Sequence, residues 1–311
     1  RKAIIFTGDQ YQQQWNESLI KTAAKGLASD LERLRDEFGP EQLWGLLSAA
    51  YDATRNFRTV NCLRYFWRSF RDVADKGAEI GFSEKGEYKP LSSLVLSKKS
   101  LPKEQVAVFH QIGGELLASS LKPHQPAAKE LNVKSLTLAN FVAIAKTSGI
   151  HVPAKNNNKH YKNLNRFFTP LWQLVDDLLP KSKSETDNKV IDELKKLSFI
   201  LDNDLQAASI NDCYRGPGRV TSDVLSASFP WLSFANSRLE PYAGLFDLIN
   251  KFNIGRVANE LKELLNRVDN KGAEIFENDE RLSKLYSLIG HIDEEQKEGD
   301  DEAYACLKTL P

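Results

Sequence analysis

Apolar residues at Leu19, Ile20, Ala23, Leu27, Leu31 and Leu34 recur close to every 3.6 positions, and Gly39-Pro40 follows them. That spacing predicts one helix over 16–38. The glycine–proline pair stops it, because proline brings no N–H and its ring restricts the residue before it. Pro40 then opens a second helix through Leu43, Leu46 and Leu47. The same period over 103–121, 135–148, 158–168, 169–179, 187–200, 240–251, 255–268 and 280–290 predicts a mainly α protein. Thr169-Pro170 reads as an N-cap with proline at the first helical position, dividing two of these runs.

Strand signals are few. Ala3-Ile4-Ile5-Phe6, ahead of Thr7-Gly8-Asp9, is the best of them. With no convincing second strand to build an α/β nucleotide site, it reads as a short extended N-terminal arm. Loops are expected at 82–102, 149–157, 180–189 and 213–218, and the 149–157 loop divides the chain into two helical lobes, 1–150 and 151–311. Asp293 to Glu302 carries seven acidic residues against one lysine and reads as a solvated segment or an interaction tail. No repeat of fixed period is visible, which argues against a solenoid.

Charge is where composition bears on function. The formal net charge is zero, so affinity for a polyanion has to come from a local patch. Residues 53–71 hold five arginines and no acid, and 155–166 hold four lysines or arginines and no acid. On a helix, Arg64, Arg68 and Arg71 share one stripe beside the apolar face of Leu63, Phe66, Trp67, Phe70 and Val73, with Tyr65 on the flank. Arg55 and Arg58 lie just upstream. Lys155, Lys159, Lys162 and Arg166 make a second stripe opposite Tyr161, Leu164, Phe167 and Phe168. Tyr214-Arg215-Gly216-Pro217-Gly218-Arg219 is a third basic cluster, whose glycines let backbone N–H groups approach an anion.

Rows of cations hold phosphates, and neighbouring aromatic rings such as Tyr65 and Tyr214 stack on unpaired bases. The expectation is therefore a non-catalytic, nucleoprotein-like protein that binds RNA or single-stranded nucleic acid, with self-association through the N-terminal arm. The alternative is a helical protein–protein interaction module or effector, in which the same stripes are solvated faces or pair with acids elsewhere. An enzyme of unrecognised type is a third reading.

The chain carries none of the usual chemical signatures. Phosphate-cradling and dinucleotide glycine motifs, the nucleophile elbow, His-Glu-x-x-His and paired Cys-x-x-Cys are all missing. The five histidines are scattered and read as surface or core-edge residues. Asp202-Asn203-Asp204 lacks the glycine and glutamate of a calcium loop and reads as a turn or helix cap. Asp176-Asp177 and Glu294-Glu295 point about 100° apart on a helix, so neither pair serves one substrate as acid and base. No catalytic residue, metal or cofactor is expected. Cys62, Cys213 and Cys306, odd in number and far apart, suit a cytoplasmic or other reducing intracellular compartment, and no membrane association is expected.

Overall fold

The computed structural model describes residues 10–55, 61–74, 78–151, 160–181, 184–216, 225–226, 229, 232–252 and 283. The chain divides into two compact units, Arg1–Ile144 and Ala145–Pro311. The described residues are mainly helical, with nine α-helices and several strands of only two to four residues. The arm at 3–6, the helices expected at 255–268 and 280–290 (Ser283 apart) and the acidic run at 293–302 lie outside them.

In the first unit, α1 (Gln10–Ser29) is followed by α2 (Leu31–Arg55) and α3 (Asn61–Ala74). The single helix expected over 16–38 is broken at Asp30. Its N–H closes α1 on Gly26 O and Leu27 O, at 3.2 and 3.1 Å, and its carbonyl accepts from Leu34 N at 2.9 Å to begin α2. An aspartate favours such a junction, as it does any helix start. The glycine–proline stop is realised inside α2, where Gly39 takes φ +76° and helix resumes at Pro40. The apolar pattern of α1 does not all turn inward. Ala24, Ala28 and Leu31 are buried, whereas Leu19 and Leu27 stand exposed.

The stretch expected as a loop at 82–102 is built. β1 (Gly81–Phe82) pairs antiparallel with β2 (Tyr88–Lys89), a 3-10 turn follows at Leu91–Ser93, and β3 (Val95–Leu96) pairs parallel with β4 (Lys134–Ser135). Leu91, Leu94, Val95 and Leu96 are all buried. Between β3 and β4 run α4 (Lys103–Gln111), a 3-10 segment Ser119–His124 and α5 (Gln125–Glu130), so the helix expected over 103–121 ends early, at the Gly113-Gly114 turn. Helix α6 (Leu138–Ser148) follows.

In the second unit, α7 (His160–Leu178) runs unbroken through Pro170, which corrects the expected division at Thr169. The Thr169 hydroxyl bonds Tyr242. Proline removes one backbone hydrogen bond and costs about 3 kcal/mol in a helix interior. Burying Phe168, Leu171 and Trp172 at about 1.5–3 kcal/mol each outweighs that. Helix α8 (Glu185–Leu194) starts from a capping box between Ser184 and Asp187, so the loop expected to reach 189 ends at Ser184. The helix expected to run to 200 stops at Leu194, and Ser198–Leu201 forms β5, antiparallel to β6 (Ala207–Ser209). The loop expected at 213–218 opens as β7 (Cys213–Arg215), parallel to both β8 (Ser233–Phe234) and β9 (Asn250–Lys251). Of the helix expected over 240–251, only α9 (Ala243–Phe246) forms.

A segment of each unit repeats the other in backbone pairing, a likeness that leaves no repeat of fixed period in the sequence. In each, a buried tryptophan on a long helix donates its indole N–H to a carbonyl at the start of the hairpin: Trp44 Nε1 to Ile80 O at 3.0 Å, just ahead of β1, and Trp172 Nε1 to Phe199 O at 2.8 Å, within β5. From there every residue of the first hairpin has its counterpart 119 positions later, Ile80 at Phe199 and Leu96 at Arg215. The pairings Gly81↔Lys89 and Phe82↔Tyr88 recur as Ile200↔Ala208 and Leu201↔Ala207. The turn bond Ser83 N to Glu87 O recurs as Asp202 N to Gln206 O, and the 3-10 turns and following strands also correspond. Further on, Leu117 N to Val95 O, Ala118 N to Phe82 O and Leu136 N to Leu96 O have their counterparts. These are Ala235 N to Tyr214 O, Asn236 N to Leu201 O and Phe252 N to Arg215 O.

Two outcomes test this frame. Trp44→Phe and Trp172→Phe should each destabilise by about 1–3 kcal/mol, because each strands a carbonyl that the indole serves, read from urea unfolding midpoints. Gly86 sits at φ +79° in the first hairpin turn, and a Cβ there would meet nothing nearer than Phe82 Cζ at 4.0 Å. Gly86→Ala should therefore cost about 1 kcal/mol from backbone strain alone.

Candidate functional site

Helix α3 segregates its residues as its sequence implies. Trp67, Phe70 and Ala74 are buried, Phe66 and Val73 pack against the same core, and Arg64, Tyr65 and Arg68 are exposed. Its stacked Trp67–Phe70 rings, with centroids 5.5 Å apart, hold the helix in place, so the arginine spacing projects from a fixed surface. Arg71 is half-buried, and its guanidinium lies 3.7 Å from Glu130 on α5 and 3.9 Å from Asp72. Arg55, exposed at the end of α2, lies over the Tyr51 ring at 5.8 Å. Arg58 and Arg219 lie outside the described residues.

The second stripe is described only in part. Arg166 is exposed on α7, while Lys155, Lys159 and the side chain of Lys162 lie outside the described residues. The third cluster is engaged within its own unit. Tyr214 packs its ring against Phe252 and Phe234, at 5.5 and 6.3 Å. Arg215 pairs with Asp247 at 2.7 Å and lies over Phe246 at 5.3 Å. Arg64, Tyr65 and Arg68 thus stand together on one helix face of the first unit, whereas Arg166, Tyr214 and Arg215 belong to the second.

The other sequence candidates for chemistry take structural roles. Asp202 Oδ1 accepts from Gln206 N at 2.8 Å and closes the β5–β6 turn, which is the turn reading of Asp202-Asn203-Asp204. Asp176 accepts the backbone N–H of Leu245 at 2.8 Å and so ties α9 to α7. Cys213 is fully buried; burial first, then Asp202 and Asp212, pushes its thiol up to about 12. A thiol held there stays protonated and is a poor nucleophile. His110 sits at the core edge, with Nδ1 2.8 Å from Gly114 O.

Sequence reasoning missed an apolar surface. On α1, Tyr11, Trp15, Leu19 and Leu27 fall on the ridge of every fourth position and are 75%, 59%, 52% and 39% exposed. Leu27 and Leu46 also line a small apolar cleft of about 70 Å³ with Leu31, Leu43, Phe66 and Trp67. The signal was on the page, since Leu19 and Leu27 belong to the helical period. Periodicity shows that a face is apolar, and it does not show whether the chain's own core covers it. No helix among the described residues is long and apolar enough to cross a membrane.

Charge also fastens the first hairpin. Burial raises the Glu115 carboxyl, but hydrogen bonds from Lys85 Nζ at 2.8 Å and Lys89 Nζ at 3.2 Å outweigh this and hold it below the usual range. A depressed carboxylate contributes stability that is present above its unfolded value and lost as pH falls through the folded one. Acid unfolding of the parent should therefore be steeper below about pH 4.5 than that of Glu115→Gln, which lacks the titrating group. Parallel acid titrations followed by circular dichroism would show the difference. The chain matches no protein-family model, no curated protein and no solved structure.

Proposed function

We propose that this chain is a non-catalytic helical interaction module, in which the α1 ridge of Tyr11, Trp15, Leu19 and Leu27 is covered by an apolar helix face of a partner. The exposure of these four side chains on one ridge carries the reading. Large apolar side chains lined up in water mark binding surfaces, and helix-to-helix docking uses this spacing of anchors. Covering Trp15 and Leu19 alone removes from water groups worth about 1.5–3 kcal/mol each when fully buried. In this reading the two units act as helical lobes, and the N-terminal arm at 3–6 is a further contact for self-association. A reducing intracellular compartment suits the free buried thiol of Cys213.

A second reading is favoured by α3, where Arg64 and Arg68 project into solvent beside Tyr65. There the partner is RNA or another single-stranded nucleic acid, phosphates lie on the arginines and a base stacks on the tyrosine. Arg71 and Arg215 contribute less to it, because each already faces a carboxylate.

One set of variants separates the two. Fluorescence polarisation with a labelled single-stranded RNA, at several salt concentrations, is run on the parent, on Trp15→Glu/Leu19→Glu and on Arg64→Ala/Arg68→Ala. Light scattering and photo-crosslinking from position 15 follow protein association in the same samples. The interaction module predicts protein association that the Trp15/Leu19 variant abolishes, with helical circular dichroism unchanged and no salt-dependent RNA binding. If the parent binds RNA instead, and the arginine variant flattens the slope of log affinity against log salt by about 1.4, the second reading replaces the first.

A further inference from the structure

The first unit holds a cleft of about 360 Å³ outside both surfaces described above. Its apolar lining is Leu96, Leu101, Val106, Leu116 and Leu117, of which Leu96, Leu116 and Leu117 are buried. Lys99, Lys103 and Lys122 stand around it with the hydroxyl residues Ser97, Ser100 and Ser119, and one acid, Glu84, reaches its rim. The ion pairs of the neighbouring hairpin consume Lys85 and Lys89 on Glu115, and none among the described residues takes up the three cleft lysines. Helix α4 begins at the cleft with Lys103. Its N-cap is Pro102, and no side chain caps it. The amides of that first turn are thus without a side-chain cap, although Glu104 in the same turn offsets part of the dipole.

The internal repeat supplies a comparison. Glu84 and Leu116 correspond to Asn203 and Phe234, and these two line a smaller cleft of about 80 Å³ at the same place in the second unit. Among the described residues that cleft is lined by Asp202, Asp204, Ser226 and Ser233 with others, and by no lysine. Among the described residues, the shared backbone frame carries a larger cleft with three lysines in the first unit and a smaller one with two aspartates in the second.

We propose that the cleft of the first unit binds a small amphipathic anion, a phosphate or carboxylate group on an apolar body. A volume of this size falls in the range of about 300–1,000 Å³ typical of small-molecule pockets. The leucines take the body, and Lys99, Lys103 and Lys122 hold the anionic group with charge-assisted hydrogen bonds. Ser97 Oγ donates to Lys99 O at 2.7 Å, which fixes the loop that carries two of the serines and Lys99. This site is independent of the α1 ridge and of the arginines of α3.

Isothermal titration calorimetry with hexyl phosphate, inorganic phosphate and hexylammonium tests it on the full chain. Hexyl phosphate is expected to bind one to one, at least about tenfold more tightly than inorganic phosphate, with no saturable heat from hexylammonium. Lys103→Glu/Lys122→Glu should weaken hexyl phosphate by at least about tenfold, with the parent's circular dichroism retained because Lys103 is exposed and Lys122 only half-buried. Trp15→Glu on α1 should leave the affinity unchanged. Equal binding of hexyl phosphate and hexylammonium, an undiminished affinity in the double lysine variant, or no heat from any probe would overturn the proposal.

Discussion

One hydrogen bond organises each half of this molecule: a buried indole N–H reaching across to a carbonyl at the start of a β-hairpin. Trp44 makes it to Ile80 and Trp172 makes it to Phe199. A hairpin of two- to four-residue strands cannot stand alone in water, since it has neither enough ladder bonds nor an apolar face of its own. The tryptophan solves both problems at once. It brings the largest apolar side chain against the hairpin and supplies the donor that a buried carbonyl needs. The next strand of each unit then starts a separate parallel ladder, β3 with β4 and β7 with β8 and β9.

Much of the helical framework was legible in the sequence. Gly39-Pro40 marked a real break because its cause is local: a positive φ that glycine tolerates and a ring that must start a helix. Thr169-Pro170 carried the same kind of signal and misled, because packing of Phe168, Leu171 and Trp172 overrode it. Strands of two residues have no period to detect, so the hairpin at 81–89 read as a loop. The repeat was hidden for a deeper reason. Across residues 81–96 and 200–215 not one aligned pair is identical, and what is shared is backbone hydrogen bonding and turn geometry. Even the special turn position differs: Gly86 at φ +79° is answered by Leu205 at φ +58°. Backbone pairing leaves little trace in side-chain identity, provided each turn finds some residue that tolerates its φ.

The candidate surfaces were legible only where chemistry is local. Segregation of Arg64, Tyr65 and Arg68 from Trp67 and Phe70 follows from helical spacing alone, and α3 has that arrangement. Which arginines are spoken for could not be read, since Glu130 and Asp247, the acids facing Arg71 and Arg215, lie 59 and 32 residues away in the chain. Likewise the spacing of Leu19 and Leu27 showed only a helical apolar period, which is the same whether the chain or another molecule covers it.

The repeat gives these surfaces their meaning. The helix between the tryptophan helix and the hairpin is α3 in one unit, with Arg64, Arg68 and Arg71, and α8 in the other, with Glu185, Asp187, Asp192 and Glu193. In α8 the charges serve the unit itself. Asp187 completes the capping box, and Glu193 is held down to about 2 by Lys146 and Lys196. In α3, Arg71 faces Glu130 in the same way, while Arg64 and Arg68 are exposed. Among the described residues the two clefts differ likewise, lysine-lined in one copy and aspartate-lined in the other. No ion pair among the described residues takes up the three cleft lysines, and the unit's own core leaves the α1 ridge exposed, so these are the surfaces on which the proposed partners would act.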